Sequence, residues 1–225
     1  MLWIVLGIGV LALLVLPGWW VKRVLRRHSG ERPDYPGTGG DMARHLLGKL
    51  ALDGVRVEST PVGDHYDPRS RTVRLTPDKL DGKNLTAVVV AAHEVGHALQ
   101  HARGEPLFHS RTLLAYLAVW MQRLAPAALL ITPLLVFFIP AASRFSLIIA
   151  VGAMLVGTLV HLATLPVEWD ASFGKALPLL QDGEYLDEQD MKDARRILLA
   201  AALTYVAGSL FSLLNVWQWL RYLRR

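Results

Sequence analysis

Residues 88–101 read Val88-Val89-Val90-Ala91-Ala92-His93-Glu94-Val95-Gly96-His97-Ala98-Leu99-Gln100-His101. The apolar, β-branched run at the start suits a buried helix, and the small residues Gly96 and Ala98 flank the second histidine. Residues four apart on an α-helix share a face, so His93 and His97 can point their imidazoles at one Zn²⁺. Glu94 lies beside that face, where a carboxylate can take a proton from water. Five-residue patterns with three fixed letters also arise by chance, and the apolar lead-in and small neighbours favour the metal reading. The spacing predicts a helix from about Asn84 to Ala102, with Gly104 as its stop.

A zinc site needs a third protein ligand. His101 lies eight residues after His93, about 12 Å along an unbroken helix. No glycine between Ala98 and His101 turns the chain back, so His101 reads as a solvated or supporting residue. Glu168 is the better candidate, because it ends a run of 23 uncharged residues, Phe145 to Val167. The alternative is a simple interfacial charge. As a ligand it completes a His₂Glu set and leaves a fourth position open. Asp170 is a candidate for orienting a ligating histidine through its other ring nitrogen. His161, seven residues before Glu168, reads as a helix–helix hydrogen-bonding residue, with a functional role as the alternative.

The chain has 225 residues, of which 52% are hydrophobic and 19% charged, with a mean hydropathy of +0.32. Water-soluble domains carry roughly 25% charged residues. The apolar excess sits in blocks: Leu2–Val21, the 20 uncharged residues between Arg123 and Arg144, the run ending at Val167, and the 24 residues from Ile197 to Leu220. About 20 apolar residues suffice to cross a bilayer as a helix, so these blocks predict about four spans. No charge precedes the first block and no A-x-A site follows it, so it reads as a retained anchor rather than a signal peptide. Lys22, Arg23, Arg26 and Arg27 then mark the cytoplasmic end. Four spans would leave Arg221, Arg224 and Arg225 outside, against the positive-inside tendency. The net charge of +5 is accounted for by such flanking residues and argues against a nucleic-acid partner. With no cysteine, a disulfide framework, a thiolate metal site and a Cys nucleophile are all excluded.

The expected fold is mainly α: a multi-pass membrane protein with about four transmembrane helices and a small α+β zincin-like cytoplasmic subdomain. Its parts are an anchor over 1–21, the subdomain over 22–111, a transmembrane hairpin over 112–167, a cytoplasmic segment over 168–196 that starts with Glu168, and a final span with a basic tail over 197–225. Within the subdomain, 29–40 reads as a Gly/Pro linker and Asp41–Leu52 as a helix. Val55–Glu58 and Thr72–Leu75 read as strands, Asp64–Pro68 as a turn, and Thr76-Pro77 as a helix start.

Four stretches carry a resemblance. They are Asp64–Pro68 with the strand after it, Ala91–His101, Leu165-Pro166-Val167-Glu168-Trp169-Asp170-Ala171-Ser172, and Ala200–Ala207. In this order they resemble the bacterial membrane-bound neutral zinc metallopeptidases of the YugP-like group, with a gluzincin-type HExxH…E site. The resemblance implies that His93, His97 and Glu168 are zinc ligands and that Glu94 is the general base. Better-known membrane gluzincins, the CAAX-type and heat-shock-induced proteases, carry an Asp four residues after the third ligand. Here that residue is Ser172. By similarity, the strand Thr72–Thr76 would bind an extended substrate, and His65 or Tyr66 would either donate to the oxyanion or stabilise the turn.

The expected activity is zinc-dependent peptide hydrolysis in the cell (inner) membrane with the active site on the cytoplasmic side. The expected partners are a protein or peptide substrate and the lipid bilayer. The alternatives are a non-proteolytic zinc-binding membrane scaffold and a zinc hydrolase of a non-peptide substrate.

Overall fold

The motif helix forms much as its sequence dictates. In a computed structural model, which describes residues 2–120 and 142–223 with side chains in part of the long helices, it spans Leu85–Ala102 and is designated α4. Asn84 is its N-cap, the side chain accepting a bond from the Ala87 N–H at 2.9 Å. Past its C-terminus, Gly104 takes φ +63°, the left-handed conformation that glycine adopts without steric cost. Val88, Val89, Ala91, Ala92 and Val95 are all buried, so the apolar lead-in places the helix in the core.

Before α4 come α1 (Leu2–Arg27), α2 (Gly39–Lys49), β1 (Arg56–Ser59), β2 (His65–Asp67), β3 (Thr72–Leu75) and the short α3 (Pro77–Leu80). After it come a helix over 106–120 (α5), α6 (Ala142–Trp169), a π-helical segment Asp170–Ala176, α7 (Leu177–Asp182) and α8 (Glu188–Leu223). The chain divides into two compact units, Met1–Glu105 with Val167–Thr204, and Pro106–Pro166 with Tyr205–Arg225.

In the first unit α2 packs on α4, with Leu46 and Leu47 buried. Thr38 and Asp41 close a capping box at the start of α2, so this helix begins two residues before the expected Asp41. The expected linker is tied at several points. Tyr35 Oη donates to Asp190 at 2.8 Å, Arg32 pairs with the same carboxylate at 3.2 Å, and the Arg32 N–H donates to Lys83 O at 2.7 Å.

The sheet has order β1-β3-β2, with β1 parallel and β2 antiparallel to β3. The middle of the expected turn, His65–Asp67, is therefore a strand. Pairing of His65 with Arg74, Tyr66 with Val73 and Asp67 with Thr72 extends a sequence that turn chemistry alone would curl. Asp67 closes the hairpin. Burial by itself would raise its carboxyl, but bonds from Ser70 Oγ at 2.7 Å, the Arg69 N–H at 3.0 Å and Arg74 Nη1 at 2.7 Å hold it at about 2. A folded-state value below the unfolded one of about 3.9 means stabilisation that is complete above about pH 4 and lost as pH falls towards 2. The contribution is about 2 kcal/mol at most. Thermal melts between pH 6 and pH 2 should show this loss in the wild type, with a shallower slope in Asp67→Asn.

The mainly helical composition with a small sheet is observed, but the multi-pass architecture is corrected. Among the described residues, no helix is long and apolar enough to cross a membrane. The end of α1 carries Lys22, Arg23, Arg26 and Arg27, and α8 begins with Glu188, Asp190, Lys192, Asp193, Arg195 and Arg196. Residues 121–141, which hold most of the first arm of the expected hairpin, lie outside the described residues.

Candidate metal centre

One helical turn of α4 sets His93 and His97 side by side, their ring centroids 4.8 Å apart and their planes at 79°. The last turn of α6 brings in Glu168, which is 2% exposed. Its Oε2 lies 3.2 Å from His93 Nε2 and 3.3 Å from His97 Nε2, and one donor atom from each of the three residues falls within 4.8 Å of the others. A tetrahedral Zn²⁺ with bonds of about 2.0–2.2 Å separates its donors by roughly 3.3–3.6 Å, close to the two separations from Glu168, and two imidazoles with a carboxylate are donors that suit the ion. Among the described residues no other group of three His or acidic side chains converges in this way.

The far sides of the rings are also engaged. His93 Nδ1 lies 3.2 Å from Ser172 Oγ, and His97 Nδ1 lies 2.9 Å from Gln100 Oε1, which leaves each Nε2 towards Glu168. Burial alone would raise the Glu168 carboxyl. The two adjacent imidazoles, His97 foremost, outweigh it and hold the group well below the usual carboxylate range.

Glu94 is also buried, and it accepts a bond from the Tyr66 backbone N–H. Burial pushes its carboxyl up to about 7; His93 opposes that rise, while Glu168 and Asp64 add to it.

Contact between α4 and the π-helical segment depends on a glycine inside the motif. A Cβ placed on Gly96 would lie 2.8 Å from the Ala171 carbonyl oxygen, closer than real contacts allow. The absent side chain lets the segment carrying Ser172 lie directly on α4.

Two expectations about neighbouring residues change, those for Asp170 and for the substrate strand. Asp170 touches neither the His93 nor the His97 ring directly; its carboxylate accepts from Gln100 Nε2 at 2.8 Å and Lys175 Nζ at 2.7 Å. His101 takes no place among the three convergent donors, its Nδ1 lying 2.8 Å from Tyr66 Oη. The strand proposed for substrate, β3, is the central strand and is paired along both edges, so it has no edge to offer. His65 Nδ1 bonds the Gly63 carbonyl at 2.8 Å, which accounts for that side chain as a stabiliser of the turn. The side chain of His161 lies outside those described.

Sequence reasoning missed Gln100 as the partner of His97 and Ser172 as the partner of His93. The spacing of Gln100, three residues after His97 on one helix, is a signal that could have found it, whereas Ser172 meets His93 across 79 residues of chain.

A helical core beside a small mixed sheet thus brings two histidines one turn apart and a glutamate from a later helix together where they could hold a metal ion. The family model described as "Putative neutral zinc metallopeptidase" matches residues 3–224, and the chain belongs to that family. It is similar to the "Putative membrane protease YugP" of Bacillus subtilis (strain 168), being 33% identical over 221 residues that cover 96% of this chain and 94% of the relative. No solved structure matches it.

Proposed function

We propose that this protein is a zinc-dependent endopeptidase that works in association with a membrane, with His93, His97 and Glu168 holding the metal and Glu94 as the general base. The observation that carries this reading is the convergence of two imidazoles and one carboxylate within 4.8 Å, beside a buried glutamate that is no part of the donor set. A purely structural zinc site would have no use for that glutamate. When bound, Zn²⁺ supplies Lewis acidity, polarising a carbonyl and lowering the pKa of a water to about 7.

The chain's own residues do the rest. The Tyr66 N–H holds the Glu94 carboxylate in place. Glu94 takes a proton from the attacking water and delivers it to the leaving amine nitrogen as the C–N bond breaks. Since β3 is enclosed, β2 is the edge strand beside α4 among the described residues, and an extended substrate chain would pair there.

Membrane association is supported by the printed name of the Bacillus relative. It is also supported by exposed apolar residues at i, i+4, i+7 spacing, Leu113, Leu117 and Trp120 on α5 and Leu155, Leu159 and Leu162 on α6.

The test is metal removal from the purified full chain. Zinc content near one per chain, loss of peptide cleavage after chelation and its return on adding Zn²⁺ are expected. Cleavage that persists in metal-free protein would sink the reading.

A further inference from the structure

Gln100 is 1% exposed and makes three polar contacts, which together fix the orientation of its amide. Its Nε2 lies 2.9 Å from the Val167 carbonyl oxygen and 2.8 Å from Asp170 Oδ2. Both are acceptors, so the amide's two N–H groups must face them. Only Oε1 remains for His97, at 2.9 Å from Nδ1. An oxygen there can only accept, so Nδ1 must carry a proton, and in the neutral ring Nε2 then presents its lone pair to the site. The opposite amide orientation would set an oxygen against a carbonyl and a carboxylate.

Asp170 is held in turn. Lys175, itself buried, places Nζ 2.7 Å from Asp170 Oδ2 and 3.0 Å from Glu105 Oε1. Val167 directly precedes Glu168, so the side chain that orients one candidate ligand also grips the backbone beside another.

We propose that Gln100 is a positioning residue for the metal, fixing His97 in its Nδ1–H form and docking the Glu168 turn onto α4, and that Asp170 acts on the metal only through Gln100. The inference rests on the zinc-site reading above, and it assigns the orienting task of an acidic neighbour to a neutral amide on the ligand's own helix.

Zinc affinity of the full chain, measured by competition with a chromophoric chelator, tests it in wild type, Gln100→Met, Asp170→Ala and the double variant. Gln100→Met should weaken binding by about 10–100-fold. Asp170→Ala should weaken it less, and the double variant should be no weaker than Gln100→Met alone. Unchanged affinity in Gln100→Met, or losses that multiply in the double variant, overturn the relay.

Should Gln100→Met fail to fold, long-range proton–nitrogen NMR on zinc-loaded wild type needs no variant. His97 is expected to carry its proton on Nδ1, and a proton on Nε2 overturns the proposal. Neither measurement involves a substrate, so a chain that binds zinc but cleaves no peptide refutes the proposed reaction alone. A wild type that binds no zinc refutes both.

Discussion

Replacing Glu94 with Gln is expected to lower peptide turnover by about 10²–10⁴-fold, the usual contribution of a positioned general base. The amide matches the carboxylate in shape, and its oxygen can still accept the bond from the Tyr66 N–H. What it loses is the ability to take up a proton. Zinc content should not change, since Glu94 lies outside the convergent donor set. The melting temperature should hold or rise, because a buried carboxyl already pushed up to about 7 by its surroundings gives way to a neutral group. Turnover and metal analysis on one preparation settle the matter. A Glu94→Gln enzyme as fast as wild type would remove Glu94 from the mechanism.

The second large effect falls on metal binding. Glu168→Ala takes away the one candidate ligand that does not come from α4, and no other described group of three is available to replace it. Zinc affinity should fall by more than the roughly 100-fold upper range for a residue that only supports a ligand. The thermal shift on adding metal reads the same quantity. A wild type at 1,000 times its Kd gains about 4.1 kcal/mol from zinc, and most of that gain should vanish in the variant. A variant that keeps the full shift would place the metal elsewhere.

These residues were not equally legible in the sequence. The limits of α4 could be read because Asn84 and Gly104 act locally, through a side-chain cap and a positive φ. Glu168 stood out because a carboxylate ended a long uncharged run. Gln100 lies three residues after His97 on the same helix and was open to that reading, whereas the meeting of Ser172 with His93 depends on how two helices are rotated against each other, which spacing along one helix does not specify. Strand β2 was hidden for a similar reason. Asp64-His65-Tyr66-Asp67-Pro68 has turn chemistry, and only the ladder with β3 makes its centre extended. The apolar blocks pointed to about four spans, whereas no helix among the described residues is long and apolar enough to cross a membrane.

The close approach at Gly96 bears on how the motif tolerates variation. Written as HExxH, the pattern has two free letters, and for metal binding alone both would accept many residues. Here the first, Val95, faces the core and is a matter of apolar volume. The second faces the Ala171 carbonyl, where even one methyl group has no room. Any larger residue there would push away the backbone that follows Glu168. In this protein the motif is effectively H-E-x-G-H, and its fourth letter is set by a neighbouring helix rather than by zinc.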